Sequence, residues 1–159
     1  MITHIELRTT INAPLYRCFD LSRSIDLHQV STKETNERAI AGRTTGLIRQ
    51  GETVTWEAKH FGIRQRLGVK IVRMNYPFYF KDVMIKGAFK SMEHEHKFSV
   101  RDGKTVMIDL FSYELPFGIV GLLFNRVMLK KHMLALLIRR NEVIKNAAES
   151  DGWRDFVAA

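Results

Sequence analysis

The fold is decided by the last long segment of the chain, residues 117–148, which reads FGIVGLLFNRVMLKKHMLALLIRRNEVIKNAA. Pro116 and Gly118 interrupt the preceding pattern, and apolar residues then recur near helical spacing, which predicts one long C-terminal helix. A helix of this length needs a broad apolar surface to lie on. The residues of the predicted apolar stripe are Leu122, Leu123, Val127, Leu134, Ile138 and Ile144, flanked by Lys130, Lys131, Arg139 and Arg140.

The segments before this helix supply such a surface. Apolar and polar residues alternate in them, which predicts seven strands, and Phe61-Gly62 and Asp102-Gly103 are tight-turn signals between strands. Two short helices are expected after the first strand, one opened by Asn12 as its cap and one at residues 24–30. The predicted fold is therefore α+β: a seven-stranded antiparallel curved sheet, two short helices and the long C-terminal helix. The predicted strands are residues 3–9, 33–41, 52–60, 63–72, 78–86, 89–100 and 105–115.

Composition limits the class of protein. The 159 residues are 45% hydrophobic and 26% charged, which is ordinary for a globular protein and predicts a single domain, residues 1–159. The single cysteine, Cys18, excludes an internal disulfide, and the start of the chain lacks a basic-then-apolar leader, so a cytoplasmic location is expected. The apolar stretch Ile119–Phe124 is too short to span a bilayer.

The net charge of +8 allows an anionic ligand, a nucleic acid or a membrane surface as a partner. However, the basic residues are scattered and form no nucleic-acid-binding motif. We therefore predict a solvated basic surface, with no nucleic-acid partner and no stable membrane insertion.

The order of the elements and several local segments resemble the START-like superfamily, also called SRPBCC. The segments are Ile11-Asn12-Ala13-Pro14 leading into Phe19-Asp20, GETVTWEA at 51–58, FKDVM at 80–84, and His94-Glu95-His96; they are similar to those of bacterial members. The resemblance implies the helix-grip fold of the birch-pollen-allergen proteins, in which the sheet grips the C-terminal helix over an apolar cavity. It also implies binding or carriage of lipids, sterols, polyketides or other hydrophobic compounds, or in some members polyketide cyclase or aromatase activity. It transfers no catalytic residue.

The predicted strands bring four polar residues together. A turn near Ala88 places Asp82 opposite His94, and the turn at residues 102–103 places His96 opposite Asp109. Because side chains alternate between the faces of a sheet, all four share the covered face and form two His–Asp cross-strand pairs among apolar residues. The other residues expected to line the cavity are Trp56, Gln65, Phe80, Met84, Met92, Phe111 and Tyr113.

These pairs allow three interpretations. They form a satisfied polar network, or they recognise a ligand through a hydrogen bond from His94 or His96 to a carbonyl or hydroxyl, or they act in catalysis with an Asp-oriented imidazole as general base. The catalytic candidates are accordingly His94, His96, Asp82 and Asp109. His-x-His with an aspartate could also bind a metal. Since each aspartate already has a histidine partner, no metal or cofactor is predicted.

The sequence thus predicts binding or carriage of a small-to-medium hydrophobic molecule (a lipid, polyketide or aromatic compound) between the sheet and the C-terminal helix. One alternative is a polyketide cyclase- or dehydratase-like enzyme that uses a His–Asp pair as general base. Another is a membrane-surface or protein-interaction module that uses the positive charge. The lack of a transferable catalytic motif favours a non-enzymatic role.

Overall fold

The computed structural model describes residues 1–157. Seven antiparallel strands form one curved sheet in the order β1-β7-β6-β5-β4-β3-β2. Positive φ values at Phe61, Gly62, Asp102 and Gly103 close the tight turns between β3 and β4 and between β6 and β7, as the sequence predicts. The strands are β1 Ile2–Ile11, β2 Arg38–Gly42, β3 Thr53–His60, β4 Ile63–Asn75, β5 Tyr79–Lys86, β6 Ser91–Arg101 and β7 Lys104–Glu114.

The helices cover one face of this sheet. The helix α1 (Leu15–Ser22) is followed by α2 (Ile25–Ser31), and the C-terminal segment contains α3 (Gly118–Phe124) and α4 (Lys130–Ala148), with a short α5 (Arg154–Val157) at the end. The predicted α+β architecture is confirmed. Among the described residues, no helix combines the length and the apolar character needed to cross a bilayer.

Two local predictions are wrong. The strand predicted at residues 33–41 begins with a 3₁₀ turn, Lys33–Thr35, and the left-handed conformation of Asn36 then delays the extended run until Arg38. Asn12 does not cap α1, because Pro14 occupies the N-cap position. The backbone N–H of Asn12 donates instead to the carboxylate of Glu149, at 2.8 Å.

A π-helical turn, Asn125–Leu129, separates α3 from α4. The Asn125 side chain ties this turn to the sheet: it accepts a hydrogen bond from the Tyr113 hydroxyl and donates to Oγ1 of Thr3 at 2.8 Å. A π turn holds more residues than an α turn, so it rotates the helix face that follows it. The segment is therefore not one uninterrupted α-helix.

The apolar stripe predicted for the C-terminal helix is mostly wrong, and the π turn bears only on the residues that follow it. Leu122, Leu123, Val127 and Ile138 are exposed, and of the six predicted residues only Ile144 is fully buried. The predicted period assumed an unbroken 3.6-residue repeat across residues 125–129. The residues that α4 buries are Leu137, Arg140, Asn141, Ile144, Ala147 and Ala148.

Candidate functional site

A cavity of about 600 Å³ lies between the covered face of the sheet and the helices. Its lining is mainly apolar and comes from α1 to α4 and from strands β3 to β7. Most of the large apolar lining residues that remain exposed are at the β3–β4 turn and at α3 with its N-cap Phe117, so they mark the mouth. A space of this size accommodates a drug-sized molecule. The exposed residues at the mouth are Phe61, Ile63, Phe117, Val120 and Phe124.

A pair of histidines joins the sheet to α4 at this mouth. Nδ1 of His60 lies 2.9 Å from Nε2 of His132, and the Phe61 ring packs against His132 with centroids 4.7 Å apart. Burial lowers the pKa of both imidazoles. Two neutral imidazoles can share one proton as donor and acceptor, so this contact connects the β3–β4 hairpin with α4.

Eight of the eleven residues predicted to contact a ligand line the cavity, and three do not. Met84 lies beyond the last β5–β6 pair, Val83 with Glu93, and does not line the cavity. Asp109 is fully buried beneath the histidines, and Tyr113 is buried with its hydroxyl directed to Asn125. The eight lining residues are Trp56, Gln65, Phe80, Asp82, Met92, His94, His96 and Phe111.

The predicted register of the polar residues is observed, but their hydrogen bonds run diagonally. Asp82 is opposite His94 and His96 is opposite Asp109. Nevertheless, Nε2 of His94 lies 2.8 Å from Oδ1 of Asp109, and Nε2 of His96 lies 3.0 Å from Oδ2 of Asp82.

Contacts between aromatic rings accompany this diagonal pairing. The His94 and His96 ring centroids are 3.8 Å apart, and the Phe80 ring stacks on His96 at 4.0 Å. Diagonal neighbours on a sheet are within reach of long side chains, so each imidazole can bond the diagonal carboxylate and keep these ring contacts. The two predicted His–Asp pairs therefore exchange partners.

Two residues of α4 complete the cluster and were not predicted as site residues. Arg140, expected on the flank of the helix, is only 6% exposed, and its guanidinium lies 3.3 Å from Oδ1 of Asp109. Nδ2 of Asn141 donates to Oδ2 of Asp109 at 2.6 Å and to Oγ1 of Thr9 at 3.1 Å. Leu137, residues 140–141 and Ile144 recur at helical spacing, but a hydropathy pattern does not mark an arginine or an asparagine as buried.

The cluster holds its carboxylates ionised. Burial alone would raise the pKa of Asp109, but hydrogen bonds from His94 and His96 and the charge of Arg140 hold that pKa well below its usual range. Burial likewise opposes ionisation of Asp82, and the hydrogen bond from His96 and the nearby positive groups lower its pKa overall. Both side chains therefore act as hydrogen-bond acceptors at neutral pH.

His94 is neutral at neutral pH. Burial, reinforced by His96, lowers the pKa of His94 to about 4, even though Asp109 acts in the opposite direction. Because a carboxylate only accepts, Nε2 of His94 carries the proton that is donated to Asp109, and Nδ1 has a free lone pair. A nitrogen with so low a pKa is a weak general base at neutral pH and suits a hydrogen-bond acceptor better.

Two atoms of the cluster are open to the cavity. Nδ1 of His94 and Oδ1 of Asp82 have no hydrogen-bond partner among the described residues. In residues 1–157 the only buried side-chain nitrogen or oxygen that is both sealed from solvent and unpartnered is Nε of Arg17. Since His94 and Asp82 line the cavity, their free atoms face it.

The same residues offer a possible set of metal ligands. One ligand atom each from Asp82, His94 and His96 lies within 4.8 Å of the other two. A cation bound there would compete with the His–Asp hydrogen bonds. It would also lie near Arg140, whose Nη2 is 3.5 Å from Nδ1 of His96. Positive charge at this distance disfavours a second cation.

Solved structures with the same architecture cover almost the whole chain. Zhui aromatase/cyclase from Streptomyces sp. R1128 superimposes with a TM-score of 0.75 at 12% identity, over 100% of this chain and 99% of that chain. The chain has the helix-grip fold. A protein from Thermus thermophilus has a TM-score of 0.71 at 18% identity, over 92% of this chain and 99% of that one.

Ginseng major latex-like protein 151 from Panax ginseng is similar in the same way, with a TM-score of 0.68 at 14% identity over 94% of this chain and 99% of that chain. Neither a protein-family model nor a curated protein matches the chain significantly. At these identities the likeness concerns the fold.

The buried imidazole makes folding stability depend on pH. In the unfolded chain His94 takes up a proton below its ordinary pKa of 6.5, whereas in the folded protein it does so only near pH 4. The unfolded state therefore binds more protons between these values, and the free energy of unfolding falls as the pH is lowered, by up to about 3 kcal/mol from this residue. Urea unfolding of the wild type and of His94→Asn at several pH values from 7 to 4 measures this fall in the free energy of unfolding. The two stabilities should converge toward pH 4, and parallel curves would contradict the assignment.

Proposed function

We propose that the protein binds or carries a small-to-medium hydrophobic molecule in the cavity between the sheet and α4. The observation that carries this proposal is a space of about 600 Å³ with a mostly apolar lining and a few polar groups at one end. Binding sites for small molecules usually combine these features. Lipids, polyketides and aromatic compounds are the ligand classes that fit such a lining. The fold shared with an aromatase/cyclase lends support to an aromatic or polyketide-like ligand.

The polar cluster favours binding over catalysis. Its most strongly held members, Asp109 and Arg140, are buried and bonded to protein groups. The imidazole that reaches the cavity, His94, has a pKa of about 4 and is a weak base. A cyclase-like role would need a group that takes up a proton readily near neutral pH.

Filling part of the cavity should weaken binding without unfolding the protein. Ala58 is buried and lines the cavity, whereas Ala135 is exposed on α4. In Ala58→Phe the added ring occupies the space of the ligand, so affinity for the uncharged fluorescent probe N-phenyl-1-naphthylamine should fall by about tenfold or more. Ala135→Phe is the matched control and should bind like the wild type. Circular dichroism checks that both variants are folded. Equal binding by all three proteins would refute the cavity as the binding site.

A second candidate function is docking on an anionic bilayer, and the exposure of α3 favours it. Ile119, Val120 and Leu123 are 85%, 75% and 64% exposed, although all are large apolar residues. Contiguous exposed apolar surface of this kind is unusual unless it contacts a partner. The exposed basic residues Arg126, Lys130 and Lys131 follow directly, which suits negatively charged lipid head groups. Because Val120 also lines the mouth, docking there would place the cavity next to lipid.

Charge placed on α3 should weaken this docking. Ile119→Asp with Val120→Asp removes apolar contact and repels anionic lipid, so the double variant should no longer sediment with phosphatidylserine-containing vesicles. Val100→Asp, at an exposed apolar position on β6, is the control and should sediment like the wild type. Raised salt should weaken binding of the wild type, because basic residues contribute to it. Absence of wild-type sedimentation, or equal sedimentation of the α3 variant, would exclude this function.

A further inference from the structure

The polar end of the cavity presents hydrogen-bond acceptors. Nε2 of His94 is committed to Asp109, which leaves only the lone pair of Nδ1 toward the cavity. Oδ2 of Asp82 is committed to His96, which leaves Oδ1 as a second acceptor. An oxygen of Asp82 and a ring nitrogen of His94 lie within 4.8 Å of each other. A hydroxyl group of a ligand in the cavity can donate to either free acceptor.

The donors of the cluster are directed into the protein. Nη1 of Arg140 donates to Asp109 and to Oδ1 of Asn141, and Nη2 donates to the carbonyl oxygen of Ser22 at 3.1 Å. Nδ2 of Asn141 is shared between Asp109 and Thr9. These terminal nitrogens are therefore occupied, and they do not provide donors for a ligand.

The charge of the cluster also disfavours an anionic ligand. Two carboxylates, Asp82 and Asp109, face one guanidinium, Arg140, and His94 is uncharged. These four side chains together carry a net negative charge. An anionic head group next to Asp82 would meet a like charge in a poorly solvated space, where repulsion is strong.

We infer that this end of the cavity selects hydrophobic ligands that carry a hydrogen-bond donor, a hydroxyl or phenol, and rejects those with a carboxylate head. The inference rests on the proposed binding function and deepens it. The apolar residues Phe80, Met92 and Phe111 border the acceptors and would contact the body of the ligand, while its hydroxyl donates to Oδ1 of Asp82 or Nδ1 of His94.

A matched set of naphthalene probes tests the inference by titration calorimetry. The probes 2-naphthol, 2-methoxynaphthalene and 2-naphthoate share one apolar body and differ in the head group, which is a donor, a neutral acceptor or an anion. The wild type should bind 2-naphthol about tenfold more tightly than the methyl ether, as expected for a hydrogen bond to a charged acceptor. It should bind 2-naphthoate most weakly.

The variant Asp82→Asn keeps the shape of the side chain and removes its charge, so the preference for 2-naphthol over the ether should be lost and 2-naphthoate should bind better than to the wild type. Asp102→Asn, in the exposed β6–β7 turn, is the control and should keep the wild-type order. Equal affinity of the wild type for 2-naphthol and its ether, or a preference for 2-naphthoate, would overturn the inference while leaving the binding function intact. If neither the three naphthalene probes nor N-phenyl-1-naphthylamine bind, both the inference and the proposed binding function are refuted.

Discussion

The carboxylate of Asp109 is the group on which the arrangement of sheet and helix depends. It is fully buried on β7 and accepts hydrogen bonds from His94 on β6 and from Arg140 and Asn141 on α4. A buried carboxylate without partners costs several kcal/mol. Rotation or sliding of α4 would break these contacts and leave a charge unpaired, so the cluster fixes the position of the helix on the sheet.

This constraint also helps to explain why a cavity remains. The polar contacts that hold α4 to the sheet include the Asp109 cluster at one end of the cavity and the His60–His132 contact at its mouth. Between them the side chains that face each other are apolar and do not fill the space. Polar contacts thus set the distance between the layers, and the apolar lining is left available for a ligand.

Much of this architecture could be predicted from the sequence, because the features involved are local. Strict alternation and short turns determine strand register, so the positions of Asp82 opposite His94 and of His96 opposite Asp109 are predicted and observed. The diagonal hydrogen bonds occur together with ring contacts on β5 and β6, which alternation does not describe.

The helix face was beyond a periodicity argument for a different reason. A π turn anchored by Asn125 rotates α4, and an arginine on its buried face looks like a surface residue in a hydropathy pattern. The burial of Arg140 is explained by the buried carboxylate of Asp109, whose charge it neutralises. Likewise, alternation predicts that Tyr113 faces the cavity, but its hydroxyl donates to Asn125 in the π turn.

A double-mutant cycle between Asp109 and Arg140 tests the central claim most directly. Asp109→Ala and Arg140→Met should each lower the free energy of unfolding by about 3–5 kcal/mol, because each strands a buried charge. The double variant removes both charges, so it should lose clearly less than the sum, with a coupling energy of about 2 kcal/mol or more. Additive losses would contradict the account, since they would mean that the buried carboxylate does not depend on the helix.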